Sequence, residues 1–447
     1  MIAILSAPGS RGDVHPMIGI GRQLVRRGWD VVISLAEPYA PQARAAGLRP
    51  EIVIDADRFH SLLADPQIWA PVRGPLTLFR TIAAEFIPAH HDVIRKYQRP
   101  GETVLVTHPL DFASRVYHQT HPDTCLVDIQ LAPSILRNPR HPPRLTPWAM
   151  EGRLPPSLVS LAYRLADRFV VGPLLAPSIN RLRDAYGLPK VHTPLEDYWN
   201  RSPRCIMLYP PWFAPEVAAG RGRTFAGFPL DDGVAVRPDD PSADRTDIAP
   251  GRDRPERHLV VTAGTANRHA RALFSQVAAA ARSLQVPTLL LSPFPENVPA
   301  NLPPQVRVSD YIPLGELLPR SLAIVHHGGI GTTARALAAG IPQLIRPLAF
   351  DQFDQAARVE RLGVGRWPRR ERHLAAALGQ LLSDDRLRRN ARELARRLTP
   401  HVESIARCDG AGPTTPPPSP ADGPHGQGCR LAAEAIEAWG RAGRSRR

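Results

Sequence analysis

Leu322-Ala-Ile-Val-His-His-Gly-Gly-Ile-Gly-Thr-Thr333, continued by an Ala- and Leu-rich run, Gly340-Ile-Pro342 and Phe350-Asp-Gln-Phe-Asp-Gln355, is the stretch whose reading decides the fold. A short apolar run that breaks into glycines and then takes up helical periodicity is the strand, turn and helix of a parallel α/β unit. Gly328, Gly329 and Gly331 let the backbone approach a ligand closely. The amides of Thr332 and Thr333 are expected to be free at the start of the helix, where the dipole favours an anion. No Walker lysine follows, so this is a phosphate cradle of another kind. An exposed dipole supplies only about 0.3–1 kcal/mol, which gives a flanking histidine donor its importance.

Outward from this stretch the second half repeats the pattern. Strands are predicted at 259–263, 288–291, 322–326 and 343–345, with helices over 268–284 and from Thr332. The first half does the same: strands at 2–5, 31–35, 103–106 and 125–129, a helix over about 14–27 and another opening at Pro38. Short apolar runs between longer amphipathic segments indicate parallel strands with crossover helices. Residues 139–189 loosen into Pro-punctuated helices, including 158–171 and 174–186, which suit the wall of an acceptor pocket. The polar segment 229–256 reads as a linker, and the Pro-, Gly- and Thr-rich segment 408–428 cannot bury a core. The domains expected are therefore 1–228, 257–407 and a terminal helix with a basic tail over 429–447.

At 447 residues and 43% hydrophobic, the chain suits two cored domains. Cys125, Cys205, Cys408 and Cys429 show neither zinc-site nor disulfide spacing, and no 18-residue apolar run occurs. A cytoplasmic protein without a bound metal is expected. The formal charge of +14 comes almost wholly from scattered arginines, Lys96 and Lys190 being the lysines. With no aromatic-interleaved basic stripe, a nucleic-acid partner is not expected, while peripheral contact with the inner face of an anionic membrane suits the charge.

A second constellation follows the first strand: Gly9-Ser-Arg-Gly-Asp-Val-His-Pro16. The carboxyl end of a parallel strand is where ligands sit, so Asp13 faces a cleft and can take a proton from a hydroxyl. On position alone Asp13 reads first as a helix cap and second as a base, with His15 the competing base. The third glycine of the dinucleotide fingerprint is missing after Gly9 and Gly12, which argues against a nicotinamide enzyme.

These two constellations resemble the inverting nucleotide-sugar glycosyltransferases of family 1, whose GT-B architecture sets two facing Rossmann-like domains with parallel sheets around one cleft. Val261-Thr-Ala-Gly-Thr265, Tyr311-Ile-Pro313, Tyr209-Pro-Pro-Trp-Phe-Ala214 and Gly227-Phe-Pro-Leu230 add to the likeness. It is nearest to the bacterial branch with antibiotic glycosyltransferases, sterol glucosyltransferases and the rhamnosyltransferase of rhamnolipid synthesis. The resemblance implies Asp13 as the base, reversing the order given by position, and Gly12 and His15 in the acceptor loop. It implies His327, not His326, as the diphosphate-binding histidine, joined by Gly329, Gly331, Thr332 and Thr333. Gly264 and Thr265 meet the phosphates, Tyr311 stacks on the nucleobase, and Asp351 and Gln352 contact donor-sugar hydroxyls. Arg335 or Ala336 replaces the glutamate that plant members carry, and Gln355 stands where Asn is frequent; both bear on donor choice.

The implied reaction moves a hexose or deoxyhexose from a UDP- or dTDP-sugar, a co-substrate and not a cofactor, to a hydroxyl of a small, lipid-like or natural-product acceptor. No metal is expected. Two readings stay open at this point, a nucleotide-sugar epimerase and a non-catalytic nucleotide-binding partner subunit.

Overall fold

The computed structural model of the chain describes residues 1–146, 154–199, 201–217, 222–230, 257–398 and 427–445. Two parallel sheets organise it, one in each half. The first holds seven strands: β1 (Ile2–Ser6), β2 (Asp30–Ala36), β3 (Arg49–Ile54), β4 (Thr103–Thr107), β5 (Cys125–Gln130), β6 (Cys205–Met207) and β7 (Arg223–Phe225). Their order is β3-β2-β1-β4-β5-β6-β7. The second holds β8 (Leu259–Thr262), β9 (Thr288–Leu291), β10 (Val306–Ser309), β11 (Ala323–His326), β12 (Gln343–Ile345) and β13 (Gly365–Arg366), in the order β10-β9-β8-β11-β12-β13.

Helices cover both faces of each sheet, which is why β1, β4, β8 and β11 are buried along their whole length and read as unbroken apolar runs. In each sheet the strand order reverses once, between β1 and β4 and between β8 and β11. Crossovers leave on opposite sides at such a switch point and open a crevice at the carboxyl ends of the strands. The loops after β1, β4, β8 and β11 therefore carry the candidate chemistry. The two-domain α/β expectation holds.

The differences lie at the edges. β3, β6, β7, β10 and β13 were absent from the sequence reading, being short or part-exposed. The first helix spans Arg11–Val25 and so opens three residues before the predicted start. The predicted helix over 158–171 is Pro156–Ala166 running into a π-helical turn, Asp167–Val171, and then into the helix Gly172–Ala185. Residues 231–256, nearly all of the expected linker, and 399–426, which hold most of the Pro-rich segment, lie outside the described residues.

Two features tie the halves together. The terminal helix, Gln427–Ser445, lies on Arg11–Val25 and sends Cys429, Ala432, Ala433 and Ile436 into the core of the first domain. Met207, Tyr209, Phe213 and Phe228 pack with Leu337, Ile345, Phe353 and Trp367 of the second domain in one shared apolar cluster. Beside it Arg358 bridges Glu216 and Asp354 and donates to the Phe213 carbonyl at 3.0 Å.

Candidate functional site

Asp13 lies in the first turn of Arg11–Val25, the third residue after the cap Ser10. Its Oδ2 accepts the Ser10 N–H at 3.0 Å. Its Oδ1 lies 3.2 Å from Nε2 of His108, which stands at the end of β4. The carboxylate is about one third exposed while His108 is buried. Gly9 makes room for this arrangement, because a Cβ there would overlap the Asp13 carboxylate. The capping bond and an oxygen on the crevice side therefore combine in one side chain. One oxygen caps the helix from inside the first turn, where Asp13 differs from the N-cap position expected. Gly12 is exposed beside it with open space around its Cα.

His15 faces elsewhere. Its Nε2 lies 3.1 Å from both Arg11 Nε and Gln42 Oε1. Burial, with the charges of Arg11 and Arg335, brings its pKa down to about 4. A ring nitrogen already engaged by two protein groups is poorly placed as a base, so the structure sets Asp13 apart from its competitor.

Across the crevice, β11 ends in two histidines with different surroundings. His326 is fully buried; Nδ1 accepts the Gly328 N–H at 3.1 Å and Nε2 pairs with Gln343 Oε1 at 3.0 Å, so this ring shapes the turn. His327 turns towards the loops. A Cβ on Gly264 would lie 2.7 Å from its Cε1, and one on Gly329 would lie 2.6 Å from its Nε2. Gly264, at φ +84°, is thus required by backbone conformation and by the space the imidazole fills. Burial lowers the His327 pKa to about 4, leaving a neutral ring, and its Nδ1 makes no hydrogen bond.

Gly329 caps the helix Ile330–Ala339. The Thr333 N–H is spent on the Gly329 carbonyl at 3.0 Å, which corrects the expectation of a free amide there. The first helical turn comprises Ile330, Gly331 and Thr332, whose N–H groups precede any i−4 partner within the helix. Thr333 keeps a buried hydroxyl without a hydrogen-bond partner, Gly331 is exposed, and Thr265 is exposed after β8.

Asp351 precedes the helix Gln352–Arg361 and accepts from Gln355 Nε2 at 3.3 Å. Burial raises its pKa to about 7 against the opposing Gln355 bond, and the negative charge of Asp13 pushes the same way. Gln352 is buried, and its Oε1 accepts the Leu348 and Ala349 N–H groups at 2.8 and 3.1 Å. Its carbonyl oxygen is committed to the loop. The NH2 is then the end of the amide left to meet a sugar hydroxyl. Phe350, at φ +57°, meets Trp69 of the first domain edge to face at 6.3 Å.

Tyr311 is 40% exposed, and the Arg11 guanidinium from the opposite domain lies 4.9 Å from its ring centroid. This contact, the influence of Asp13 on Asp351 and that of Arg335 on His15 show the two constellations facing one crevice. Among the described residues no group of three or more His, Cys, Asp or Glu side chains is arranged to hold a metal ion.

His108 is the site residue that sequence reading missed. It follows the apolar run 103–106, but that this strand neighbours β1 is a matter of sheet order, and nothing local to the residue reports it.

Two parallel sheets with facing switch points define the GT-B architecture, and the comparisons place the chain among the glycosyltransferases that share it. Residues 294–403 match the family model described as Erythromycin biosynthesis protein CIII-like, C-terminal domain. O-mycaminosyltylonolide 6-deoxyallosyltransferase of Streptomyces fradiae is 30% identical over 409 residues, 88% of this chain and 92% of that protein. Sterol 3-beta-glucosyltransferase of Candida albicans is 48% identical over 69 residues, 15% of this chain and 5% of that protein. The solved glycosyltransferase of kitacinnamycin superposes with a TM-score of 0.68 at 19% identity, covering 98% of both chains. Glycosyltransferase VinC in complex with dTDP does so with 0.58 at 18% identity over 89% of this chain and 94% of that one. The chain belongs to the family 1 GT-B glycosyltransferases and is a glycosyltransferase. Its relatives leave the epimerase and non-catalytic readings without support.

Proposed function

We propose that the protein transfers a hexose or deoxyhexose from a dTDP- or UDP-sugar to a hydroxyl of a hydrophobic natural-product or sterol-like acceptor, with inversion and without a metal. The observation that carries this reading is the pairing of Asp13 on one wall of the crevice with a glycine-lined helix mouth and His327 on the other. Asp13 takes the acceptor proton as the oxygen attacks the anomeric carbon. The bond to the diphosphate breaks with its electrons going to the departing phosphate oxygen. The amides of the first turn of Ile330–Ala339, with His327, stabilise that charge, and Thr265 and the backbone at Gly264 add contacts.

In this reading Tyr311 carries the nucleobase. Asp351 and the Gln352 NH2 hold sugar hydroxyls, Asp351 poised by its raised pKa to donate or accept near neutrality. The dTDP complex of a structural neighbour supports a nucleotide diphosphate donor. The O-mycaminosyltylonolide and sterol transferases among the relatives support the acceptor class. Leu158, Leu161, Leu165, Phe169 and Val170 form an exposed apolar stripe in the expected acceptor wall. We assign the stripe to acceptor entry; with Arg164 and Arg168 beside it, it also suits peripheral membrane contact. No described helix is long and apolar enough to cross a membrane.

The test is a donor screen by thermal shift, followed by NMR of the product's anomeric configuration. Stabilisation by dTDP or UDP and a product of configuration opposite to the donor are expected. Stabilisation by neither nucleotide, or retained configuration, overturns the proposal.

A further inference from the structure

We infer that the first domain carries a carboxylate pocket, built by Arg137, Tyr163, Arg164 and Arg201 and walled by Trp199, so that the acceptor is an apolar molecule bearing one acid group. The inference deepens the acceptor reading proposed above and rests on it.

The pocket, of about 250 Å³, lies between the loop after β5, the helix Pro156–Ala166 and the segment 195–201. Arg137 forms its buried part. Its side chain is 14% exposed, with the guanidinium carbon 5.3 Å from the Tyr163 ring centroid and 5.8 Å from that of Trp199. Arg137 Nη1 and Tyr163 Oη are both buried without a hydrogen-bond partner. Asp167 Oδ2 stands 3.6 Å from Nη1, too far for a hydrogen bond, and the two Asp167 oxygens accept the Leu195 and Glu196 N–H groups at 3.3 and 2.6 Å. Buried polar groups in folded proteins are paired as a rule, so two unused donors in one pocket mark a place for ligand oxygens.

The charges decide the class of ligand. Arg164 and Arg201 stand exposed at the rim, and among the described residues neither forms a salt bridge. Three guanidinium groups against Asp167 and Glu196 leave one positive charge, which suits a monoanion, and a planar carboxylate matches the guanidinium fork. Leu161 lies one turn from Arg164 on the same helix, in the exposed apolar stripe that runs to Phe169. The acid group therefore belongs to an apolar body. Trp199 ties the pocket to the reacting centre, because its Nε1 donates to the Pro109 carbonyl at 2.9 Å, next to His108, whose ring lies 3.2 Å from Asp13. An acid held on this wall limits which of the acceptor's hydroxyls can reach Asp13.

The experiment is calorimetric titration of the full chain, in the presence of dTDP or UDP, with cholate and with laurate, each against its neutral methylamide. At least one acid is expected to bind roughly tenfold tighter than its amide. Tyr163→Phe removes a hydroxyl that has no protein partner and so spares the fold; it should cut that preference roughly threefold. Arg164→Gln combined with Arg201→Gln, at the exposed rim, should nearly abolish it. No preference for either acid, or a preference that survives in both variants, overturns the pocket. Failure of both nucleotides to bind the native chain instead overturns the donor reading, a separately visible failure.

Discussion

Asp13 caps the first helix and, in the proposed reaction, also serves as the base. Asparagine at this position keeps the bond to the Ser10 N–H while removing basicity, whereas alanine removes both. Asp13→Ala is expected to melt below Asp13→Asn by the worth of a cap, about 0.5–2 kcal/mol, while both lose turnover; thermal melts paired with rate assays check this. Gly264 supplies a second residue-scale prediction. Gly264→Ala forces a left-handed backbone on alanine and pushes on the His327 ring, so dTDP or UDP affinity should fall at least tenfold by calorimetry. The places of these residues at strand ends were legible in the sequence, whereas their roles came from the resemblance, since on position alone Asp13 reads first as a cap. His108 was not legible, since its meaning depends on which strands are neighbours. The commitments of Thr333 and Gln352 to backbone partners were equally hidden, because side-chain identity does not say which hydrogen bonds are already made.

At the scale of elements, the longer central strands were readable, while the edge strands and the three-residue interior strand β6 were not. β1, β4, β8 and β11 are buried on both faces and spell continuous apolar runs, whereas β7 and β10 are part-exposed and β13 is two residues long. Edge strands bury one face or less, so the apolar signal fades. The terminal helix was legible as a helix, but its site of docking was not. Ile436 is fully buried against the first domain, and Arg27 pairs with Glu434 and Glu437 along the same seam. Ile436→Ala is expected to destabilise the protein by about 2–5 kcal/mol in denaturant unfolding, as a buried isoleucine in a real core would. A change below about 0.5 kcal/mol would mean that the helix is peripheral to the fold.

At the scale of the molecule, the domains share a packed cluster near Phe213 and Phe353 and face each other at the crevice through Arg11 with Tyr311 and Trp69 with Phe350. Arg358 sits in the packed region between two carboxylates, and Arg358→Ala leaves Glu216 and Asp354 buried without their cation. A loss of about 3–5 kcal/mol is expected in equilibrium unfolding.

Whole-molecule stability should also depend on pH. His15, His326 and His327 have folded pKa values near 4, 3 and 4 against an ordinary 6.5, chiefly through burial. Between about pH 6.5 and 4 the unfolded chain binds more protons at these rings, so stability falls as pH falls through that window. Asp351, raised by burial to about 7 from 3.8, acts oppositely, since its folded form binds the extra proton between those values. Burial also lowers the pKa values of His91 and His118 and raises those of Asp128 and Asp167; the lowered imidazoles outnumber the raised carboxyls, which predicts a lower melting temperature at pH 5 than at pH 7, read directly by a melt series at constant ionic strength.

The central claim is that the crevice catalyses sugar transfer with Asp13 as its base. Acceptor-dependent release of nucleoside diphosphate from a dTDP- or UDP-sugar, measured side by side for the native chain and Asp13→Asn at matched nucleotide saturation, tests it most directly. The account predicts release by the native chain and a loss of at least a hundredfold in the variant with nucleotide binding intact; equal release by the two proteins would contradict it.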